Sequence, residues 1–276
     1  MKRRLTSLII ALFMVLQSPL SIAKPAIQLA IVLDDIGNSL YDFQALNLPS
    51  EITFSILPYT PHAKKIAQLA QKQQRELLLH VPMQAKTNNS KLGKGALMLD
   101  MQEPDFKAQL QKALHYLPDA TGINNHMGSV LTEQVKQMKW IMDVLNKQGL
   151  YFLDSRTTAQ TIAESTAKIS GTPVLRRHVF LDNIKTEKAM EKQFQLAIKL
   201  GRKQHSVVII AHPYPETIQF LAKKFKQKNS QVELVALQEL LPQSARLAMA
   251  KKRSEQQQVN NMVIHDAIND QTQQTQ

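Results

Sequence analysis

The chain has 276 residues, of which 43% are hydrophobic, which is enough for one sizeable domain with a buried core but short for two. Cysteine is absent, so thiol catalysis, disulfides, Fe–S clusters and cysteine-containing zinc sites are excluded. The formal net charge of +12 first suggests nucleic acid or an anionic membrane as a partner, although an aromatic content of 5% disfavours stacking platforms for single-stranded nucleic acid.

Residues 1–23 have the pattern of a secretory signal peptide. Residues 2–4 are basic, residues 8–16 are apolar, and residues 21–23 (Ser-Ile-Ala) offer the small side chains that a signal peptidase requires. The alternative is an N-terminal membrane anchor, but the apolar run is short for a span. Cleavage before Lys24 removes three basic residues and no acidic one, which lowers the net charge from +12 to +9. We therefore expect a periplasmic protein without a stable membrane span, for which nucleic acid is not an expected partner.

Short apolar runs then alternate with amphipathic stretches over residues 24–245, which we predict to be one domain. The predicted strands are Ile27–Leu33, Ile52–Leu57, Glu76–Val81, Gly122–Asn125, Leu150–Leu153, Val174–Phe180, Ser206–Ile210 and, more weakly, Gln231–Leu237. Apolar residues three and four positions apart predict helices that run from Val135 to Gly149, through Met190–Ala197, and from Pro215 to about Lys226.

This alternation predicts βαβ units and a parallel sheet. Seven or eight such units favour a closed or nearly closed barrel, and the alternative is an open doubly wound sheet. No glycine-rich dinucleotide or phosphate-binding fingerprint supports that alternative. Residues 246–276 are rich in glutamine and have few apolar residues, which predicts a disordered or loosely attached tail.

Polar residues suited to metal binding or proton transfer gather where the predicted strands end. They are Asp34 and Asp35, His80, Asn125 and His126, Asp154 and Arg156, His178 and Asp182, and His212. In a parallel barrel the carboxyl ends of the strands meet at one mouth, so these residues would converge there. Each alone has a structural reading, such as a helix cap for the aspartates or a satisfied core position for a histidine.

One aspartate and two histidines form a ligand set suited to Zn²⁺ or a similar divalent ion, with a position left open for water. Such an ion would activate the water, a neighbouring carboxylate would accept a proton, and a histidine would protonate the leaving group. This chemistry is the hydrolysis of an amide or an ester. No His-Glu-x-x-His sequence is present, so the ligands would have to come from separate strands.

Six segments resemble the divergent polysaccharide deacetylases, a branch of the NodB-type carbohydrate esterase superfamily. They are Ile31–Gly37, Ile52–Pro58, Glu76–Gln84, Gly122–Ser129, Phe152–Thr157 and Val208–Pro213. The Asn-Asn-His-Met-Gly-Ser sequence of residues 124–129 is the most specific of these motifs. The resemblance covers residues 27–237 and implies an α/β fold, a distorted (β/α) barrel of about seven strands like that of the NodB-like glycoside hydrolases and deacetylases.

The resemblance also implies roles for individual residues. Asp34 would be the catalytic base, Asp35 and His80 would bind the metal, and His212 would be the catalytic histidine. The superfamily's second metal-binding histidine aligns with Gln84, and its Arg-Pro-x-Tyr segment is absent. From its place at a strand end, we infer that His126 supplies the third ligand.

The remaining strand-end residues would bind the substrate at the mouth. They are Asn125, Ser129, Asp154, Arg156, His178 and Asp182. The expected activity is removal of acetyl groups from a polysaccharide or cell-wall glycan. The alternatives are a catalytically inactive glycan-binding or envelope-assembly protein on the same fold and, more weakly, a binder of anionic polymers that uses the remaining positive charge.

Overall fold

Parallel strands form the frame of the protein. The structure is a computed structural model that describes residues 27–226, 232–256 and 258. The strands of this part are β1 (Ile27–Ile36), β2 (Thr53–Ile56), β3 (Leu77–Met83), β4 (Gly122–Met127), β5 (Tyr151–Asp154), β6 (Val174–Arg176), β7 (Val179–Phe180), β8 (Ser206–Ala211) and β9 (Val232–Leu234). Every pair of neighbouring strands is parallel, as the sequence predicts.

Helices connect the strands, and most of them begin or end where the sequence predicts. They are α1 (Ala63–Lys72), α2 (Glu103–Tyr116), α3 (Val135–Gln148), α4 (Ala163–Ile169), α5 (Glu187–Gln204) and α6 (Pro215–Phe225). Gly149 ends α3 in the left-handed region at φ 66°, which a glycine adopts without strain. Pro215 opens α6, where its missing N–H costs no helical hydrogen bond. Val135 differs from the prediction, because it is exposed instead of buried in the apolar face of α3.

The strand order curls the sheet into a barrel-like fold. The order is β6-β5-β4-β3-β2-β1-β8-β7, and β9 pairs with β1. The predicted strand Val174–Phe180 is in fact two strands, because the N–H of Arg177 donates to Asp154 whereas the next N–H, of His178, donates to Val208. This one segment therefore belongs to both edges of the sheet, with β6 on β5 and β7 on β8. The arrangement confirms the predicted barrel and rules out the open doubly wound sheet.

Both faces of the sheet are buried, and successive residues of a strand face opposite sides. In β1, Leu29, Ile31 and Leu33 pack in the large cluster that includes the helices. Ala30 and Val32 pack in a smaller cluster formed by the other face of the strands, which we call the interior cluster. Asp34 is two residues beyond Val32 and so follows on the interior face.

The same period places further polar residues inside the barrel. His80 lies two positions after Leu78, and His212 lies two positions after Ile210, both of which belong to the interior cluster. The sequence thus switches from apolar to polar along the interior face near the carboxyl ends of three strands. This switch is what builds a polar site at one end of an apolar barrel.

A helix near the C-terminus packs on the domain and continues past the predicted boundary at residue 245. Residues 243–256 are helical, and Met249 is buried in the interior cluster. Lys252 Nζ donates to the carbonyl of Asn146 at 3.0 Å. The apolar residues of this stretch are few but well placed, which composition alone does not reveal. The rest of the predicted tail from residue 259 and the predicted signal peptide lie outside the described residues. No helix in the described ranges has the length and apolarity that crossing a bilayer requires.

A buried glutamate holds the opposite end of the barrel, where the strands begin. Glu76 is 6% exposed, and its Oε1 accepts from the hydroxyls of Thr121 and Tyr151, each at 2.8 Å. Its Oε2 accepts from the hydroxyl of Thr53 at 3.1 Å and from the N–H of Gln238 at 3.0 Å. One carboxyl group therefore ties together three strands and the turn that follows β9.

Replacing Glu76 with alanine is expected to lower the free energy of unfolding by about 2–4 kcal/mol, because several buried donors lose their acceptor together. Urea denaturation measures the change. Glu51→Ala is the control, since Glu51 is exposed and such surface changes stay within about 0.5 kcal/mol. Equal effects of the two substitutions would mean that the buried network adds nothing to stability.

Candidate metal centre

Asp35, His80 and His126 bring three ligand atoms together at the carboxyl ends of β1, β3 and β4. Asp35 Oδ1 lies 2.8 Å from His126 Nδ1 and 3.1 Å from His80 Nε2. The two imidazole nitrogens are 3.3 Å apart. One carboxylate and two imidazoles form a set that suits Zn²⁺ and similar divalent ions. We call this cluster the metal centre.

The backbone of Asp35 explains how an aspartate next to Asp34 reaches the same site. Strict alternation would point the side chain of Asp35 away from the interior. Its φ is 61°, however, and the pairing of β1 with β2 shifts register between Leu33 and Ile36. A left-handed conformation at a non-glycine residue costs of order 1–3 kcal/mol. The fold therefore accepts local strain that turns this carboxylate toward the two histidines.

The polar atoms of the centre fit a bound cation. Asp35 Oδ1 is buried and has no hydrogen bond of ordinary geometry, even though two imidazole nitrogens lie close to it. Burial by itself would raise the pKa of Asp35, but the polar contacts with His126 and His80 outweigh burial and hold that pKa well below its usual range. A buried, ionised oxygen without a donor, beside two ring nitrogens, is the arrangement that a divalent ion would complete.

Asn124 orients both a ligand and a neighbouring acid, and sequence reasoning missed it. Its Nδ2 donates to Asp34 Oδ1 at 2.8 Å, which leaves Oδ1 of the amide facing His80. His80 Nδ1 lies 2.8 Å from that oxygen and must donate to it. When the imidazole is neutral, His80 Nε2 then keeps its lone pair toward the metal centre. The alternation of β4 could have revealed this role, since Asn124 and not Asn125 shares the interior face with His126.

Asp34 lies beside the metal centre and is 3% exposed. Its Oδ2 is 3.7 Å from His80 Nε2, and its Oδ1 is held by Asn124. Burial raises the pKa of Asp34, although the positive fields of His80 and His212 oppose the rise. A raised pKa makes the carboxylate a better proton acceptor near neutral pH.

Asp182 holds His212 toward the metal centre. The backbone N–H of His212 donates to Asp182 Oδ2 at 2.6 Å, and the ring nitrogen Nδ1 of His212 lies 3.0 Å from Asp182 Oδ1. The hydroxyl of Thr217 also donates to Asp182 Oδ2, at 2.9 Å. His212 Nε2 is left facing the centre, 4.0 Å from Asp35 Oδ2. The pair can present a proton at Nε2.

The protonation of His212 should show this dependence on Asp182 directly. Burial by itself would lower the pKa of His212, but the hydrogen bond and the charge of Asp182 raise it to about 9. In the metal-free protein, the imidazole signals of His212 in an NMR titration should therefore change near pH 9, above the usual value of about 6.5. In Asp182→Asn the burial effect remains and only the smaller effects of Asp35 and Asp34 oppose it, so the transition should move down by more than one pH unit.

Asp143→Asn serves as the control for that titration, because Asp143 is an exposed carboxylate paired with Lys107. It should leave the His212 transition in place. A wild-type transition near pH 6.5, or one that Asp182→Asn does not move, would show that Asp182 does not set the protonation of His212.

Three residues predicted to bind the substrate at the mouth are buried, and their polar atoms contact neighbouring groups. Asn125 is 1% exposed, with its Nδ2 bound to the carbonyl of Met127 and its Oδ1 bound to the N–H of Ser155. Asp154 is fully buried and Asp182 is 3% exposed. Buried polar groups satisfy each other inside a fold, and strand-end position alone does not show which will do so.

The other predicted substrate residues are half-buried. Ser129 accepts the N–H of Lys86, and Nδ1 of His178 accepts the N–H of Val208. Arg156 also lies at this end of the barrel and is half-buried. Gln84, which aligns with a superfamily ligand, accepts the N–H of Leu99 at 2.8 Å. Its oxygen is therefore used by the neighbouring loop, away from the metal centre.

Comparison with known proteins agrees with this fold. Residues 31–241 match the model of a family described as divergent polysaccharide deacetylase. The uncharacterized protein YibQ of Escherichia coli K12 is 36% identical over 232 residues, which are 84% of this chain and 71% of that protein. An uncharacterized protein of Haemophilus influenzae is 36% identical over 211 residues, covering 76% and 75% of the two chains.

Among solved structures, an uncharacterized protein of Agrobacterium tumefaciens C58 has a similar fold. Its TM-score is 0.75 at 22% identity, and the match covers 79% of this chain and 90% of that one. At this identity the likeness concerns the fold alone.

Proposed function

Because this chain belongs to the divergent polysaccharide deacetylase family, we propose that it is a metal-dependent hydrolase that removes acetyl groups from a polysaccharide or cell-wall glycan. The observation that carries the proposal is the cluster of Asp35, His80 and His126, whose ligand atoms all lie within 4.8 Å of one another. Asp34 and His212 both lie next to this cluster. This proximity supports the proposal that a ligand set, a base and an acid act together at one place.

Asp35 Oδ1, His80 Nε2 and His126 Nδ1 would hold the ion, and Zn²⁺ suits this donor set. A divalent ion bound there supplies Lewis acidity, which polarises a carbonyl group and lowers the pKa of a water molecule. Asp34 accepts a proton from the attacking water through its free Oδ2, while Asn124 holds its other oxygen. A new C–O bond then forms at the acetyl carbon.

His212 completes the reaction at the leaving group. Its Nε2 faces the centre and gives its proton to the leaving nitrogen or oxygen as the bond to the acetyl carbon breaks. Asp182 stabilises the charged imidazole from the other side. The products are acetate and a free amine or hydroxyl group on the sugar.

The signal-like pattern of residues 1–23 supports a periplasmic location, which places a cell-wall or envelope glycan within reach. The proposal includes no nucleic-acid partner, since the mature protein would work outside the cytoplasm.

Acetate release from acetylated glycans tests the proposal. The mature protein is stripped with a chelator, reloaded with Zn²⁺, and incubated with chitin oligomers and with peptidoglycan fragments. We expect one equivalent of bound metal and release of acetate that stops in the stripped protein. A chain that binds no metal after zinc loading would overturn the metal-dependent mechanism.

A second candidate is a glycan-binding or envelope-assembly protein without catalysis. Gln84 favours it, because a ligand of the superfamily is replaced by a side chain that binds the backbone of Leu99. This candidate predicts glycan binding that survives Asp34→Asn, with no acetate released from any substrate. Acetate release that depends on Asp34 would exclude it.

A further inference from the structure

Two arginines lie together at the mouth of the barrel, just beyond β5 and β6. Arg177 Nη2 donates to the carbonyl of Arg156 at 2.8 Å, and its Nε donates to the carbonyl of Ser155 at 2.7 Å. The Arg177 guanidinium also lies 3.8 Å from the centre of the Phe180 ring. Burial, and then the positive charge of Arg156, lower the pKa of Arg177 to about 10. The fold therefore holds two like charges close to each other.

Neither arginine has a carboxylate partner in the described ranges. In the described ranges, the guanidinium of Arg156 makes neither a hydrogen bond nor an ion pair. The acid just before it, Asp154, is already used, because its oxygens accept the N–H of Arg156 and the hydroxyl of Thr161. The half-buried guanidinium therefore loses hydration without a hydrogen bond to replace it, and the negative charges of Asp154 and Glu164 attract it without contacting it.

The backbone holds Arg156 in this place. Its φ is 49°, in the left-handed region that most residues avoid. As at Asp35, the chain accepts local strain at a strand end beside the metal centre. Such strain at a site where a side chain is otherwise unpaired is consistent with positioning for a ligand.

The arginine pair is also close to the catalytic groups. Phe180, which packs on Arg177, lies with its ring 6.3 Å from the ring of His212, and the two planes are 20° apart. Ser155, whose carbonyl binds Arg177, accepts a hydrogen bond from Asn124 through its hydroxyl. Phe180 therefore lies between Arg177 and His212. Ser155 lies between Arg177 and Asn124, which orients Asp34.

We infer that Arg156 and Arg177 form an anion subsite, and that the glycan acted on carries a carboxylate or phosphate group near the acetyl group to be removed. The identity of the ligand as an acetylated glycan rests on the proposed function. A bound anion would accept hydrogen bonds from Arg156 and from the remaining Nη1 of Arg177, and it would offset their mutual repulsion.

Calorimetric titration with four sugars tests the subsite. N-acetylmuramic acid carries a carboxylate, its methyl ester has nearly the same shape without the charge, N-acetylglucosamine lacks the group, and N-acetylglucosamine 6-phosphate carries a phosphate. We expect the wild-type protein to bind at least one of the two anionic sugars about tenfold or more tightly than the ester and N-acetylglucosamine. The stronger of the two identifies the anion. This preference should weaken between 50 and 500 mM NaCl.

Arg156→Gln should lose the preference, so that the anionic sugars bind no more tightly than N-acetylglucosamine. Arg176→Gln is the matched control, since Arg176 is an exposed neighbour paired with Glu164 at 3.6 Å. Arg156→Gly removes the same charge and accommodates the positive φ, so it separates a charge effect from a folding effect.

Equal binding of all four sugars, or equal losses in Arg156→Gln and Arg176→Gln, would overturn the subsite. The two proposals fail separately. Retained anion preference without any acetate release overturns the proposed function and supports the subsite, whereas acetate release without anion preference overturns the subsite alone.

Discussion

Asp34→Asn is expected to reduce acetate release by a factor of about 10²–10⁴, the range that one general base contributes. Asparagine keeps the shape of the side chain but cannot accept the proton from water. Asp34 is not one of the three clustered ligand groups, so the content of bound metal should stay at the wild-type level. When both are measured on the same preparations of this variant, acetate release should fall while the metal content stays at the wild-type level.

The matched control for Asp34→Asn is Glu76→Gln, another exchange of a buried carboxyl for its amide. Glu76 binds groups at the opposite end of the barrel, among them Thr53 and Tyr151. Glu76→Gln should lower stability while leaving the turnover of the folded protein near wild type. If Asp34→Asn kept more than about a tenth of the wild-type rate, the assignment of Asp34 as the base would be wrong.

His80→Ala is expected to weaken metal binding by about 10²–10³-fold. Zinc sites with four protein ligands bind with about 10–16 kcal/mol, so one ligand accounts for roughly 3–4 kcal/mol. The loss should be visible by metal analysis after dialysis and by competition with a chromogenic chelator. His115→Ala is the control, because His115 is exposed on α2.

Asn124→Ala should give a smaller loss, about 10–100-fold, although Asn124 is not itself a ligand. Its amide oxygen fixes the proton of His80 on Nδ1 and so keeps Nε2 available. Because Asn124 also holds Asp34, this variant should lose more activity than its metal content explains. Unchanged metal affinity in both His80→Ala and Asn124→Ala would mean that the ion does not bind at this cluster.

The frame of the fold could be predicted from the sequence because its signals are local. Ile27–Leu33 is apolar at every position except Gln28, which marks a strand with both faces buried. Gly149 and Pro215 mark the end of one helix and the start of another. The split of Val174–Phe180 into two strands could not be predicted, because it depends on which edge of the sheet each N–H reaches.

The chemistry of the site was also partly visible in the sequence. Asp35, His80 and His126 stand at the ends of separate strands, and parallel strands bring such ends to one mouth. The lack of cysteine leaves histidine and the carboxylates of aspartate and glutamate as the common protein ligands for Zn²⁺ in this chain. The sequence by itself thus determined the type of fold and brought Asp35, His80 and His126 into one predicted cluster at the carboxyl ends of the strands, which the structure has.

The tertiary structure decided which of those polar residues face the centre and which are buried partners. Asn124 and Asn125 are adjacent and chemically identical, yet only Asn124 reaches Asp34 and His80, because the pleat of β4 turns successive side chains to opposite faces. Asp182 accepts hydrogen bonds from His212 and Thr217, whereas among the described residues the guanidinium of Arg156 has no hydrogen-bond or ion-pair partner. These outcomes depend on contacts between distant segments and on single backbone angles, which no local pattern in the sequence specifies.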